Sequence, residues 1–367
     1  MKILQVITSL QIGGAEKLIS EISPLLRDKG HEVDVLAFDG VETHFKKSLE
    51  EAGIKVYSFS KNCNVYNPLV ILKLVKVMRN YDIVHTHNTA PQLFAAIGSV
   101  LCSVLLVTTE HTTSNRRRDW KWYAPIDRWM YKRYSKVICI SNQAEENLKA
   151  FHPSLKNVCT IYNGVDVQKF HDAKPLGCIR SEKTTVVMVA GFRYQKDQDT
   201  LIKSFSHLDE NRFELWLVGN GERRPELECL IKELNLESTV KLMGIRADIP
   251  EVLQSADIVV MSSHFEGLSL SNVEGMSVGK PFVASDVDGL REVVSGYGLL
   301  FPHGDDKELA SIIKRLAEDK DFYKQVADKC WERAQMYDIK KMVDSYNDLF
   351  VSLKRDLTCS LPAQVKP

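Results

Sequence analysis

Residues 256–286 read ADIVVMSSHFEGLSLSNVEGMSVGKPFVASD, and the way this stretch folds decides the rest. ADIVVMSS is a short apolar run with the character of a buried strand. LSNVEGMS has helical spacing and stops at Gly279, Lys280 and Pro281, ordinary punctuation after a helix. PFVASD then reads as the next strand, so the stretch predicts one strand–helix–strand unit of a parallel sheet. Glu266 and Glu274 bracket the strand-to-helix turn, one at its mouth and one in the first turns of the helix. Between them lie unpaired backbone amides backed by the helix dipole, so Ser269, Leu270 and Ser271 can hold a phosphate by main chain alone. A diphosphate in the middle, a sugar accepted by one glutamate and a ribose by the other describe a nucleotide sugar. A capped helix with two solvated acids fits the same spacing.

Working outward, strand and helix alternate along the whole chain. KILQVI, EVDVLAF, IVHTH, LLVTTE and VICIS form one series of apolar runs, and TTVVMVAGF, FELWLVG, VKLMG, DIVVMSS and PFVASD form a second. Two doubly wound, Rossmann-like α/β halves follow from this pattern. Pro, Gly and charge without periodicity place the linker near 170–182. The 367 residues suit two domains, with 44% hydrophobic residues to build two cores. Leu93–Val107, the longest apolar stretch, is shorter than the roughly 20 residues of a spanning helix and contains Gly98, Ser99 and Ser103. It reads as a buried helix followed by a strand. MKILQVITSL has one lysine and too short an apolar run for a signal peptide. The eight cysteines show no CxxC pair and no metal-ligand spacing, as expected of reduced thiols in a cytoplasmic protein.

Ligands of open α/β sheets bind at the carboxyl ends of the strands, so the motifs there carry the chemistry. Gly13 and Gly14 follow the first strand and open a helix expected to start around Glu16. His111 ends LLVTTEH, while His85 and His87 in IVHTHN read as structural. Lys196 lies in FRYQKDQD after the first strand of the second series, where an ammonium can meet two phosphates as a point charge. Gly219, Asn220 and Gly221 form a GxG, weak evidence by itself for any dinucleotide. The glutamate pair, GGAEK, EHT, IYNGVD and FRYQKDQDTLIKSF together closely resemble the retaining GT-B glycosyltransferases of family four (glycosyl transferases group 1), from Met1 to about Leu353.

That resemblance implies two Rossmann-like domains facing each other across a cleft. An acceptor-binding domain would span 1–175 and a nucleotide-sugar-binding domain 176–337, with a C-terminal helix at about 338–355 returning to the first and a disordered tail at 357–367. It implies transfer of a sugar, with retention, from a nucleoside-diphosphate sugar, UDP favoured, to a hydroxyl acceptor. Glu266, His111 and Lys196 are the catalytic candidates, His111 as the histidine that contacts the transferred sugar. Gly13, Gly14, Arg193, Lys196, Gly244, Ile245, Ser269, Leu270, Ser271 and Glu274 are the donor-binding ones, and Asn163, Gly164 and Asp166 are expected to be structural. The family arginine five positions before Lys196 is replaced by Gly191, and Arg193 is the candidate substitute. Asp286 and Asp288 form a DxD, the metal signature of the other major glycosyltransferase fold, at a position where this family has a turn. No metal and no cofactor are expected, and the further oxygen ligands of a calcium loop are missing.

The formal net charge is zero, yet the first half carries an excess of Lys and Arg and the second an excess of Asp and Glu. Residues 114–136, SNRRRDWKWYAPIDRWMYKRYSK, concentrate the cations between aromatic rings. Arg116, Arg117, Arg118, Trp120, Lys121 and Trp122 suit an anionic membrane surface, with rings at headgroup level and cations on lipid phosphates. A solvated helix with Trp129 and Tyr131 in the core is the plainer alternative. Nucleic acid, which uses the same ingredients, is not expected. A peripheral enzyme on the inner face of the plasma membrane is expected, acting on a lipid-linked or growing glycan in polysaccharide or lipopolysaccharide synthesis. A nucleotide-sugar epimerase of the same fold, or a non-catalytic sugar-nucleotide or lipid-binding partner, are the competing expectations.

Overall fold

The computed structural model describes residues 1–11, 13–60, 67, 69–111, 120, 122–177, 182–266 and 270–360. Among these described residues thirteen strands are distributed over two sheets, and every pairing between them is parallel. The strands are β1 (Lys2–Ile7), β2 (Glu32–Asp39), β3 (Lys55–Ser60), β4 (Ile83–His87), β5 (Leu105–Glu110), β6 (Lys136–Cys139), β7 (Val158–Thr160), β8 (Thr184–Val189), β9 (Phe213–Val218), β10 (Val240–Gly244), β11 (Ile258–Met261), β12 (Phe282–Ser285) and β13 (Leu299–Phe301). The first sheet has the order β3-β2-β1-β4-β5-β6-β7 and the second β10-β9-β8-β11-β12-β13.

Helices connect successive strands in each sheet. The sheets are covered on both faces, so central strands are buried throughout: β4 and β9 are buried at every position, His85, Thr86, His87 and Glu214 included. The strand order reverses between β1 and β4 in one sheet and between β8 and β11 in the other. These are the two switch points at which open α/β sheets leave a crevice.

The chain forms two compact units, 1–163 with 340–367, and 164–339. The sequence boundary at 175/176 lies twelve residues further along. The reason is local: Val165 N donates to Tyr337 O and Ile339 N to Val165 O, both at 2.9 Å, so the NGVD turn is bonded into the second unit. The helix Val167–His171, capped by Asp166 at Lys169 N, then packs on the helices Ile249–Ser255 and Leu270–Ser277.

The helix Gly14–Asp28 starts two residues earlier than its sequence suggests, with Gly13 as an extended N-cap. Leu93–Val107 divides as expected into the end of the helix Thr89–Gly98 and the start of β5. The last helix, Ile339–Ser360, buries Met342, Val343, Tyr346 and Phe350. Tyr346 OH meets Thr109 Oγ1 at 3.3 Å, and Asn347 meets His31 at 2.9 Å. Residues 357–360, expected in a disordered tail, continue this helix because no Pro or Gly interrupts it before Pro362. The remainder of the tail, 361–367, lies outside the described residues. Among the described residues no helix is long and apolar enough to cross a membrane.

Glycines set the closest contacts around β8 and the glutamate helix. A Cβ on Gly219 (φ +142) would stand 2.1 Å from Ala190 O, and one on Gly221 2.3 Å from Phe192 O. The GxG therefore lets the end of β9 press against the loop leaving β8. Gly275, in the helix Leu270–Ser277, would bring a Cβ to 2.6 Å from the Phe282 ring and 2.9 Å from Val259 Cγ1. Gly275→Ala should lower the urea midpoint. Overpacking here costs about 1–3 kcal/mol, which outweighs the roughly 1 kcal/mol by which alanine favours a helix.

Candidate active site

In the second unit the switch point assembles the predicted cation and the first glutamate. Lys196 ends a 3-10 turn, Tyr194–Lys196, after β8, and Glu266 follows β11. These strands are neighbours, with Ile258 opposite Val186 and Val259 opposite Val187, so their carboxyl-terminal loops meet. Lys196 Nζ pairs with Glu266 Oε1, and Ser263 Oγ donates to the same oxygen at 2.9 Å. The Glu266 side chain is only 6% exposed and that of Lys196 18%. A carboxylate so poorly solvated is held by its ammonium and hydroxyl partners.

Side chains and backbone lock the two loops together. Ser262 Oγ donates to Asp197 O at 2.7 Å, His264 N to Gln195 O at 2.8 Å, and Gln195 Nε2 to Phe265 O at 3.1 Å. Ser285 Oγ, at the end of β12, donates to Ser263 O at 2.6 Å. Sequence spacing offered no signal for the Lys196–Glu266 pairing, because the partners are 70 positions apart.

Glu274 sits in the helix Leu270–Ser277, partly buried. Leu270 and Ser271 form its first turn, and Ser269 lies outside the described residues. Both amide atoms of the fully buried Asn272 lack a partner among the described residues. Arg193 is exposed, and its Nε lies 3.9 Å from where a Cβ on Gly191 would stand. The guanidinium thus rises beside the place that a side chain at 191 would leave from. Gly244 (φ +68) ends β10 and accepts Gly219 N at 2.9 Å, and Ile245 is 82% exposed. Arg246 is paired with Asp248, its Nε 2.8 Å from Oδ1. Asp286 and Asp288 both bond Arg291, at 2.6 and 3.0 Å. The DxD is an arginine-bridged turn before the helix Asp288–Val294.

The first unit gathers histidines at the ends of β4 and β5. His87 Nδ1 lies 2.8 Å from His111 Nε2, and His87 Nε2 lies 2.9 Å from Gln5 Oε1. His85 Nε2 meets Thr109 Oγ1 at 2.8 Å. Burial and the His111 imidazole push His85 down to about 3, and burial pushes His111 down to about 4 against the opposing pull of Glu110. His87 is held well below the ordinary value in the same way, so all three rings are neutral near pH 7. With the Gln5 carbonyl accepting from His87 Nε2, His87 Nδ1 accepts from His111 Nε2, and His111 Nδ1 keeps its lone pair. Gly13 and Gly14 follow β1 in the same sheet. Neither has positive φ, so neither meets a conformational demand; no atom stands within 4 Å of a Cβ on Gly14, which leaves open backbone, whereas a Cβ on Gly13 would meet the Glu16 carboxylate.

The basic aromatic segment splits by face. Tyr123, Asp127, Met130, Tyr131 and Tyr134 are buried, with Tyr131 OH donating to Glu110 at 2.7 Å. Trp120, Trp122, Ile126 and Trp129 are exposed beside Arg128 and Lys132, and the rings of Trp120 and Trp122 stack at 5.7 Å. Tyr131 therefore packs in the core and Trp129 does not. Arg116, Arg117, Arg118 and Lys121 lie outside the described residues.

Comparison with known proteins follows the same division. The family described as glycosyl transferases group 1 matches residues 174–333, and glycosyltransferase family 4 matches residues 12–169. The UDP-Gal:alpha-D-GlcNAc-diphosphoundecaprenol alpha-1,3-galactosyltransferase of Escherichia coli is 27% identical over 77% of this chain and 79% of its own length. The N-acetyl-alpha-D-glucosaminyl L-malate synthase of Bacillus anthracis is 23% identical over 94% and 95%. Among solved structures, Anabaena HepE in complex with UDP superposes with a TM-score of 0.83 at 26% identity, over 96% of this chain and all of that one.

The histidine chemistry sets a pH dependence. An imidazole whose folded pKa is depressed binds fewer protons folded than unfolded between its folded value and about 6.5. Stability should therefore be full above that window and fall as pH drops from about 6.5 towards 4. Each histidine contributes on the order of 1 kcal/mol per pH unit. Urea midpoints measured from pH 7 to pH 5 should show this slope, and a His85→Asn, His111→Asn variant should make it shallower, His87 keeping its own share.

Proposed function

This chain belongs to the GT-B glycosyltransferases of family four, and on that premise we propose that it moves a sugar from a UDP-sugar to a hydroxyl of a lipid-linked or growing glycan, with retention at the anomeric carbon and without a metal. The observation that carries this reading is the Lys196–Glu266 pair at the β8/β11 switch point, a few residues before the helix Leu270–Ser277 in the chain. A nucleoside diphosphate entering there finds an ammonium, the Arg193 guanidinium and a helix N-terminus for its phosphates. Departure of the diphosphate puts negative charge on these groups and oxocarbenium character on the sugar. Preorganised charge stabilises that separation more than it stabilises the bound donor.

When Lys196 turns to phosphate, Glu266 is released to accept a sugar hydroxyl and to shield the positive ring. Glu274 holds the ribose, and His111 Nδ1 accepts a further sugar hydroxyl. Gly244 and Ile245 offer main chain to the base, and Gly13 and Gly14 leave room for close approach. The leaving phosphate takes the acceptor's proton on the same face, which accounts for retention. A uridine donor is supported by the UDP and UDP-glucose complexes of HepE. A lipid-linked acceptor is supported by the E. coli relative's diphosphoundecaprenol substrate. The exposed Trp120, Trp122 and Trp129 with Arg128 and Lys132 form an apolar and cationic surface suited to an anionic bilayer.

UDP should raise Tm and GDP should not, since a ligand at a hundredfold excess over Kd adds about 2.7 kcal/mol. In Lys196→Gln the UDP shift, read against that variant's own ligand-free Tm, should vanish. An unchanged shift would remove Lys196 from the donor site. Glu266→Gln should cut kcat by on the order of a hundredfold or more with a much smaller effect on donor affinity, and Glu274→Ala should raise the donor Kd about tenfold or more. Turnover of a UDP-sugar should persist in EDTA. Radiolabelled donor offered with diphospholipid-linked sugar or with small hydroxy acids distinguishes the acceptor class, and a product formed only with the latter would reject the lipid-linked reading. Co-sedimentation with phosphatidylglycerol vesicles, reduced by Trp122→Ser with Arg128→Ser, tests the surface.

A further inference from the structure

Three segments of the second unit place metal-ligating atoms together beside the donor site. One ligand atom from each of Asp197, His264 and His303 lies within 4.8 Å of those of the other two. His264 Nδ1 is 3.6 Å from Asp197 Oδ2 and 2.6 Å from His303 Nε2. Asp197 is the N-cap of the helix Gln198–Phe205, His264 follows β11, and His303 follows β13.

The geometry fits a tetrahedral ion. Zinc bonds to imidazole nitrogen and carboxylate oxygen are about 2.0–2.2 Å long, which separates tetrahedral ligand atoms by about 3.3 Å. The Asp197–His264 distance is near that value. The His264–His303 distance needs to open by less than 1 Å, and His303 is exposed and flanked by Gly304 with φ +77, so its ring has room to withdraw. The exposed side of His303 leaves the fourth position for water.

Two of the three ligands are fixed in advance. Asp197 is held in the left-handed region, φ 45 and ψ 51. Its Oδ2 accepts from Thr200 Oγ1 at 2.7 Å and its Oδ1 from Thr200 N at 3.3 Å, the kind of outer bond that orients a metal-bound carboxylate. His264 is set by its backbone bond to Gln195 and by the Tyr194 ring, 4.5 Å away. Two imidazoles and one carboxylate suit zinc and its neighbours, not magnesium or calcium, which take oxygen. We propose that Asp197, His264 and His303 form a binding site for one divalent transition-metal ion of the zinc class. The ion ties the loop of Lys196, through Asp197, to the loop of Glu266, through His264, and both to the end of β13. It stands apart from the proposed transfer step, which uses none of these three side chains.

The test uses full-length, tag-free protein stripped with EDTA and titrated with Co(II). The expected result is the visible absorption of tetrahedral Co(II), saturating at one ion per chain, displaced by Zn(II), and a rise in Tm with Zn(II) but not with Mg(II). His303→Ala removes an exposed ring and should keep the Tm of the stripped protein while losing about tenfold or more in Co(II) affinity. His303→Gln serves the same purpose if the alanine variant folds poorly, and Thr200→Val should weaken binding while leaving the stoichiometry. No tetrahedral band, or equal Co(II) binding by wild type and both His303 variants, overturns the site.

Discussion

Parallel pairing of β8 with β11 is the constraint on which the second unit's chemistry depends. The two strands are neighbours only because the strand order reverses between them. Every loop leaving the carboxyl end of one therefore faces a loop leaving the other, and there is no helix between them at that end. Lys196 and Glu266 meet for this reason, 70 residues apart in sequence and one strand spacing apart in the sheet. The backbone and serine bonds from Ser262, His264 and Gln195 then fix both loops to one position.

Close approach of backbone reinforces that arrangement. The loop after β8 is pressed by the turn after β9 only because Gly219 and Gly221 carry no side chains. The helix bearing Glu274 lies against Val259 and Phe282 only because position 275 is glycine. The same physical device serves both sides of the switch point: the absence of a Cβ lets a loop or a helix approach a strand end. A GxG read as a dinucleotide signal is here a packing device for the loop that carries Arg193 and Lys196.

Most of this architecture is legible in the sequence, and the parts that are not share a cause. The ten strands read from apolar runs all exist, because nine of them lie inside a sheet, buried on both faces, and the edge strand β10 still carries Val240, Leu242 and Met243. β3, β7 and β13 escaped notice; each is an edge strand, and their half-buried, short or mixed sequences lack that signature. The domain change is displaced because two backbone bonds to Tyr337 and Ile339 decide it, and composition carries no trace of such bonds. Candidate residues at strand ends were readable one by one. Their pairings, Lys196 with Glu266, His87 with His111 and Asp197 with His264, come from strand order and were invisible along the chain.

The Lys196–Glu266 pair also bears on how a donor site behaves when empty. The Lys196 ammonium and the Ser263 hydroxyl offset the cost of taking the Glu266 carboxylate out of water. On the proposed chemistry a donor replaces one set of partners with another: phosphate for Lys196, sugar hydroxyl for Glu266. Part of the donor's gross binding energy is consumed in separating the pair, which weakens ground-state binding. On that same proposal, loss of the sugar leaves Glu266 without its hydroxyl partner, and its attraction for Lys196 favours release of the nucleotide, so that binding energy is left to act where charge develops.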